Sequence, residues 1–189
     1  RFGVDPEDVS QARFIFLWGI NSLSTNSHLT PKLKEARKNG AYIVHIDPYV
    51  NKTSRFADEH IHIRPASDAA VAYAMAHVIF REDLADEDYL ERAAEGVEVF
   101  RAEALRWPPE RAEVVSGVPV EVIERLARDF ARRQPGLVRV GYGMTRHPGG
   151  ASALRAVTLL PALTGAWQYR GGGALLSTSG AFALNDSHL

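Results

Sequence analysis

Two unbroken apolar runs stand out near the start of the chain, FIFLW (Phe14 to Trp18) and AYIVHI within AYIVHID, ending before Asp47. Runs of this length with no polar alternation predict strands covered on both faces. Between them Leu33, Ala36 and Arg37 recur at helical spacing over 31–39, and Gly40 supplies a stop. Strand, helix and strand within about 35 residues is the right-handed parallel crossover unit. The alternating HIHIR, 60–64, predicts a third strand. After it Ser67 is placed to cap a helix with Val71, Ala72, Met75, Val78 and Ile79 on one face.

From Asp83 to Arg133 the texture changes to charged amphipathic segments. Pro109 and Pro119 sit where first-turn prolines belong, and Gly96 and Gly117 where helices stop. LVRVGYG then restores the strand pattern. GGASALRAVTLLPALTG follows as a helix expected to bend or end near Pro161, and the tail WQYRGGGALLSTSGAFALN reads as loop. The prediction is a single α/β domain over 1–189: a Rossmann-like, doubly wound, mainly parallel sheet with a helical insert at about 83–133.

Composition narrows the function. Twenty-two Lys and Arg against 23 Asp and Glu give a formal net charge of -1, which argues against nucleic acid or a membrane surface held by net charge. No apolar run reaches membrane-spanning length and no export segment is visible, so a cytoplasmic location without a membrane partner is expected. The chain has no cysteine, which excludes disulfides, iron–sulfur ligation and a cysteine nucleophile within these residues. It begins without methionine and ends abruptly after a glycine-rich stretch, so a piece of a larger protein is expected.

In open parallel sheets ligands bind beyond the carboxyl ends of the strands, and four such places can be read here. After the first strand come Gly19, Asn21, Ser22, Ser24, Thr25, Asn26 and Ser27, either neutral partners for phosphate and ribose oxygens or a polar loop capping the next helix. Asp47, 28 residues after Gly19, stands where a ribose-binding carboxylate is placed, or simply starts an Asp-Pro turn. Asp68 opens a helix, where a carboxylate is favourable by itself, yet it could also accept two donors from a guanine edge. Gly141 to Arg146 follows the last predicted strand. His60 and His62 share a face, but no carboxylate or cysteine cluster supports a metal site, and none is assigned. Phosphate-loop, hydrolase-elbow and zinc-protease motifs do not occur.

Taken in order, Trp18-Gly19-Ile20-Asn21, Asp47-Pro48-Tyr49, Arg64-Pro65-Ala66-Ser67-Asp68-Ala69-Ala70, Gly141 to Arg146 and TGAWQYRGGG resemble the molybdopterin oxidoreductases of the dimethyl sulfoxide reductase and formate dehydrogenase superfamily. The likeness covers nearly the whole chain. It implies a domain holding one molybdopterin guanine dinucleotide, the molybdenum being carried by the full enzyme. Gly19 and Asn21 would lie at the phosphates, Asp47 at the ribose hydroxyls and Asp68 at the guanine edge, with Trp18, Ser24, Pro48 and Arg64 also among the cofactor-binding residues. Gly141, Gly143, Met144 and Arg146 would approach the pterin, and the Gly171–Gly173 turn with LLSTSG would lie toward the metal.

Ser22, Tyr49, Ala66, Ser67 and Arg146 depart from the family pattern, which has proline, arginine, Gly-Thr and, in formate-type enzymes, glutamine at these places. The resemblance also implies that the metal ligand and any iron–sulfur cluster lie outside this chain. The remaining domains of the parent and a small-molecule substrate would be its partners, and the isolated chain would be inactive, with no catalytic residue of its own named. The alternative is a noncatalytic nucleotide-binding or assembly domain like the central domain of thiamine diphosphate enzymes.

Overall fold

A computed structural model describes residues 4–177. The centre of the sheet is β1 (Phe14–Trp18), whose five residues are all buried. It pairs in parallel with β2 (Tyr42–Ile46) on one side and β4 (Gly136–Val140) on the other. Outside these lie β3 (Glu59–Ile61) and β5 (Gly173–Leu175), giving the all-parallel order β3-β2-β1-β4-β5. The chain therefore winds outward from β1 to β3, then returns and winds the other way. Strand order reverses between β1 and β4, and the connections that follow these two strands run to opposite faces of the sheet, which leaves a crevice beyond their paired ends.

The two sheet faces bury different sets of side chains, as period-2 strands require. Ile15 and Leu17 of β1 pack with Leu33 of α2 (Leu29–Lys38). On the other face Phe14, Phe16 and Trp18 join Val71, Met75 and Ile79 of α4 (Asp68–Arg81). Two short helices, α1 (Ser22–Thr25) and α3 (Lys52–Phe56), occupy the loops after β1 and β2.

The charged segment forms α5 (Glu87–Ala93), α6 (Val97–Leu105), α7 (Pro109–Ser116) and α8 (Val120–Arg132). With α9 (Gly150–Leu163), which follows β4, helices α6, α7 and α8 surround α4. Ten of the fourteen α4 residues are consequently buried, which replaces the single apolar face expected from its spacing. Alanines at 70, 72, 74 and 76 let the neighbouring helices approach on every side. Pro109 is the first-turn proline of α7 and Gly117 ends that helix in the left-handed region, as read. Pro119 stands one position earlier, as the cap of α8, and Gly96 opens α6 at φ +72° instead of closing α5.

Two other expectations change. The glycine-rich tail contains a strand: β5 is only three residues long, and its pairing with β4 reveals it where local propensity does not. Helix α9 keeps Pro161 within it and ends two residues later at Leu163, near the place expected. The third strand stops at Ile61, before His62, because the chain turns away so that the Arg64 amide donates to the Ser116 carbonyl, 2.9 Å away.

Candidate functional site

At the crevice the backbones of β1 and β4 touch. The Gly141 amide donates to the Trp18 carbonyl at 3.0 Å, and a Cβ added at Gly141 would stand 2.1 Å from the Gly19 carbonyl oxygen. Gly19 itself has φ +60°, and a Cβ there would meet the Met144 side chain at 2.7 Å. Both positions need glycine, one for the close approach and one for its conformation as well. Met144 is buried beneath this turn, whereas Gly143 and Arg146 are exposed on the 3-10 turn Tyr142–Thr145 and its cap.

A cavity of about 620 Å³ opens beside these glycines, lined among others by Gly19, Asn21, Thr25, Asn26, Gly141 and Gly143. Thr53 Oγ1 donates to Asn21 Oδ1 at 3.0 Å, so α3 steadies the loop from below. The same loop is tied to β2 through His45. Its Nε2 donates to the Ile20 carbonyl at 3.0 Å, and Ser54 Oγ, which accepts from the Asn51 amide, donates to its Nδ1 at 2.9 Å. Burial holds this imidazole neutral by taking its pKa from 6.5 to about 4. Ser24 is exposed and Pro48 half-buried, and neither lines the cavity.

The two predicted carboxylates sit at neighbouring strand ends on the β2–β3 side. Asp47 is 6% exposed and accepts the Tyr49 amide at 3.1 Å, the geometry of an Asx turn. Asp68 is 8% exposed, and its Oδ1 accepts the indole N–H of the fully buried Trp18 at 2.7 Å. Trp18 thus orients Asp68 from within the core. Burial raises the pKa of both carboxyls, and the charge of Asp47 adds to the effect on Asp68. His147 completes this corner, and sequence reading missed it. Its Nδ1 donates to the Pro148 carbonyl, while its buried Nε2, 3.9 Å from Asp68, has no hydrogen-bond partner among the described residues.

Arg64 is placed differently. Its Nη1 donates to the Val114 carbonyl at 2.6 Å, clasping the end of α7. Ala66 between them has φ +67°, a left-handed residue where the family pattern has glycine. Ser67 precedes α4 in the cap position, but its hydroxyl donates to the Arg64 carbonyl instead of accepting from the helix. Of the third-strand histidines, His60 Nε2 donates to the Asp47 carbonyl at 3.1 Å and its ring stacks on His45, whereas His62 is exposed. No group of three or more His, Asp or Glu could hold a metal ion among the described residues. Of LLSTSG, residues 178–180 lie outside the described residues.

An all-parallel sheet whose order reverses beside a crevice of glycines, neutral amides and hydroxyls, with carboxylates at the next strand ends, defines a Rossmann-like, doubly wound α/β domain. The family is then given by comparison: residues 2–184 match molybdopterin oxidoreductase, and the chain belongs to that family. It is 38% identical over 187 residues to the probable oxidoreductase YoaE of Bacillus subtilis, covering 99% of this chain and 28% of that protein. It is 31% identical over 158 residues to formate dehydrogenase H of Escherichia coli, covering 84% and 22% respectively. Among solved structures, acetylene hydratase from Pelobacter acetylenicus superposes with a TM-score of 0.76 at 22% identity, over 89% of this chain and 25% of that one, a likeness of fold. The chain spans about a quarter of the length of these relatives. No helix among the described residues is long and apolar enough to cross a membrane.

Proposed function

We propose that this domain binds one molybdopterin guanine dinucleotide across the carboxyl ends of β1, β2, β3 and β4, within a parent enzyme that performs two-electron, often oxygen-atom, transfer on a small substrate. The observation that carries the reading is the pairing of the crevice at Gly19 and Gly141 with the buried Asp68 carboxylate held by Trp18. The donor set suits the group. The side-chain amides of Asn21 and Asn26 match phosphate oxygens, Asp47 matches ribose hydroxyls, and Asp68 matches the N–H edge of guanine. The unpartnered Nε2 of His147 offers one more acceptor at that corner.

When bound, the cofactor supplies the metal at which electrons and oxygen are exchanged. The chain's own residues bind and orient it. Gly19 and Gly141 bring backbone close to the ligand, Trp18 fixes the Asp68 carboxylate, and the buried His45 holds the Ile20 carbonyl and hence the loop. Other domains of the parent would supply the metal ligand and any iron–sulfur cluster, so the chain alone turns nothing over.

Thermal unfolding with nucleotides tests this. Guanosine diphosphate should raise the midpoint of the 189-residue chain more than adenosine diphosphate, and Asp68→Asn should remove the difference. A bidentate base contact is worth about 1–3 kcal/mol of discrimination. Equal protection by the two nucleotides, or turnover by this chain with an added electron acceptor, would sink the reading.

A further inference from the structure

The face of the sheet under α2 carries one cross-strand row that is not apolar throughout: His60, His45, Leu17, Arg139 and Leu175, in register from β3 to β5. Below Arg139 on this face lie Ile15, Leu33 and Leu137, all fully buried. A guanidinium placed on such a layer can reach polar surroundings only by rising toward the carboxyl end, and Arg139 does so. It lines the cavity, is 7% exposed, and its Nη1 donates to the carbonyls of Val140 and Leu175.

No carboxylate pairs with it among the described residues, and its buried Nε has no hydrogen-bond partner there. A buried cation satisfied chiefly by carbonyl dipoles, with the Tyr142 phenol as its titratable neighbour, is costly unless an anion joins it. Desolvation accordingly lowers its pKa, although a guanidinium stays protonated at neutral pH. The rest of the lining suits an anion with many oxygens. Asn26 adds a neutral side-chain donor, whereas Lys32 is paired at 2.7 Å with Glu7, which also lines the cavity, so Arg139 is the cation left for an incoming anion among the described lining residues.

We infer that Arg139 is the receptor for a phosphoryl oxyanion in this cleft, through its unpartnered Nε and the fork geometry that guanidinium offers to phosphate. Anion binding stands on the cleft alone. Its identity as the diphosphate of a dinucleotide, and not a free phosphate, rests on the function proposed above.

The full 189-residue chain, titrated calorimetrically with inorganic pyrophosphate, tests the inference beside Arg139→Met. The wild type should bind, and the variant at least tenfold more weakly, a difference of about 1.4 kcal/mol. Guanosine diphosphate binding more tightly than pyrophosphate, and weakened by the same substitution, would support the dinucleotide as the source. Guanosine diphosphate binding no more tightly would leave the Arg139 site standing and count against the dinucleotide. Should Arg139→Met fail to fold, the Arg139 Nε–H resonance of the wild type must shift as pyrophosphate is added. Absence of pyrophosphate binding, affinity within twofold in the variant, or an unmoved Nε–H signal at saturation overturns the inference.

Discussion

Replacing Gly141 by alanine separates steric necessity from backbone preference at the crevice. Gly141 has φ -110° and ψ 165°, which any residue adopts, so conformation contributes no penalty. The added methyl would instead stand 2.1 Å from the Gly19 carbonyl oxygen, 2.9 Å from its carbon and 2.8 Å from Ile20 Cβ. Two of these neighbours are backbone of the central strand's exit and cannot rotate away. Restoring ordinary contact of about 3.5 Å pushes the ends of β1 and β4 apart by more than about 1 Å. That breaks the 3.0 Å bond from the Gly141 amide to the Trp18 carbonyl.

Overpacking costs about 1–3 kcal/mol and the lost hydrogen bond about 0.5–1.5, so a total near 3 kcal/mol is expected. In a domain of this size that lowers the melting midpoint by roughly 6–12 °C. Gly149→Ala is the matched control. Gly149 has φ +85° and nothing within 4 Å of an added Cβ, so only the left-handed conformation is penalised, at about 1 kcal/mol or roughly 2–4 °C. Circular dichroism melts of the two variants provide the comparison. If Gly141→Ala melts no lower than Gly149→Ala, the close approach of β1 and β4 is not what selects glycine there.

Two further outcomes are expected. Because the folded state depresses the His45 pKa from 6.5 to about 4, its stabilising effect is complete above pH 6.5 and is lost as pH falls through 4. The loss amounts to about 3 kcal/mol. The raised carboxyls of Asp47 and Asp68 act oppositely, favouring the fold as they protonate, so the readout is the difference between denaturant curves of wild type and His45→Gln at pH 7 and pH 4.5. A difference independent of pH would contradict the buried neutral imidazole. Ala66→Gly should raise the melting midpoint slightly, since relief of the left-handed strain, about 1–2 kcal/mol, exceeds the added chain entropy of about 0.4–1. A lowered midpoint would show that the Ala66 methyl contributes packing that outweighs its strain.

The central strands were legible because burial on both faces leaves an unmistakable apolar run, as in Phe14–Trp18. The edge strand β5 was not, since three residues among glycines carry no periodic signal and exist as a strand only through Arg139 and its neighbours on β4. Asp47 and Asp68 could be singled out as polar residues at strand ends. Their shared burial, the indole that holds Asp68 and the approach of His147 are tertiary facts that bring together residues from four separate segments. Arg139 was hidden for the opposite reason. A lone arginine within an apolar strand reads as an edge or surface position until the register places it beside Leu17 and Leu175. Arg64 illustrates a motif residue whose local contacts account for it within this chain, since it closes α7.

By the proposed function, a guanine dinucleotide lies across the carboxyl ends of β1 to β4. Heteronuclear NMR spectra of the 15N-labelled 189-residue chain, recorded with increasing guanosine diphosphate, test it most directly. The predicted result is that the largest shifts fall on the Trp18 indole N–H and on the amides of Gly19, Asn21, Asp68, Gly141 and Gly143. Shifts confined to the helices between residues 87 and 132, or an identical pattern with adenosine diphosphate, would contradict it.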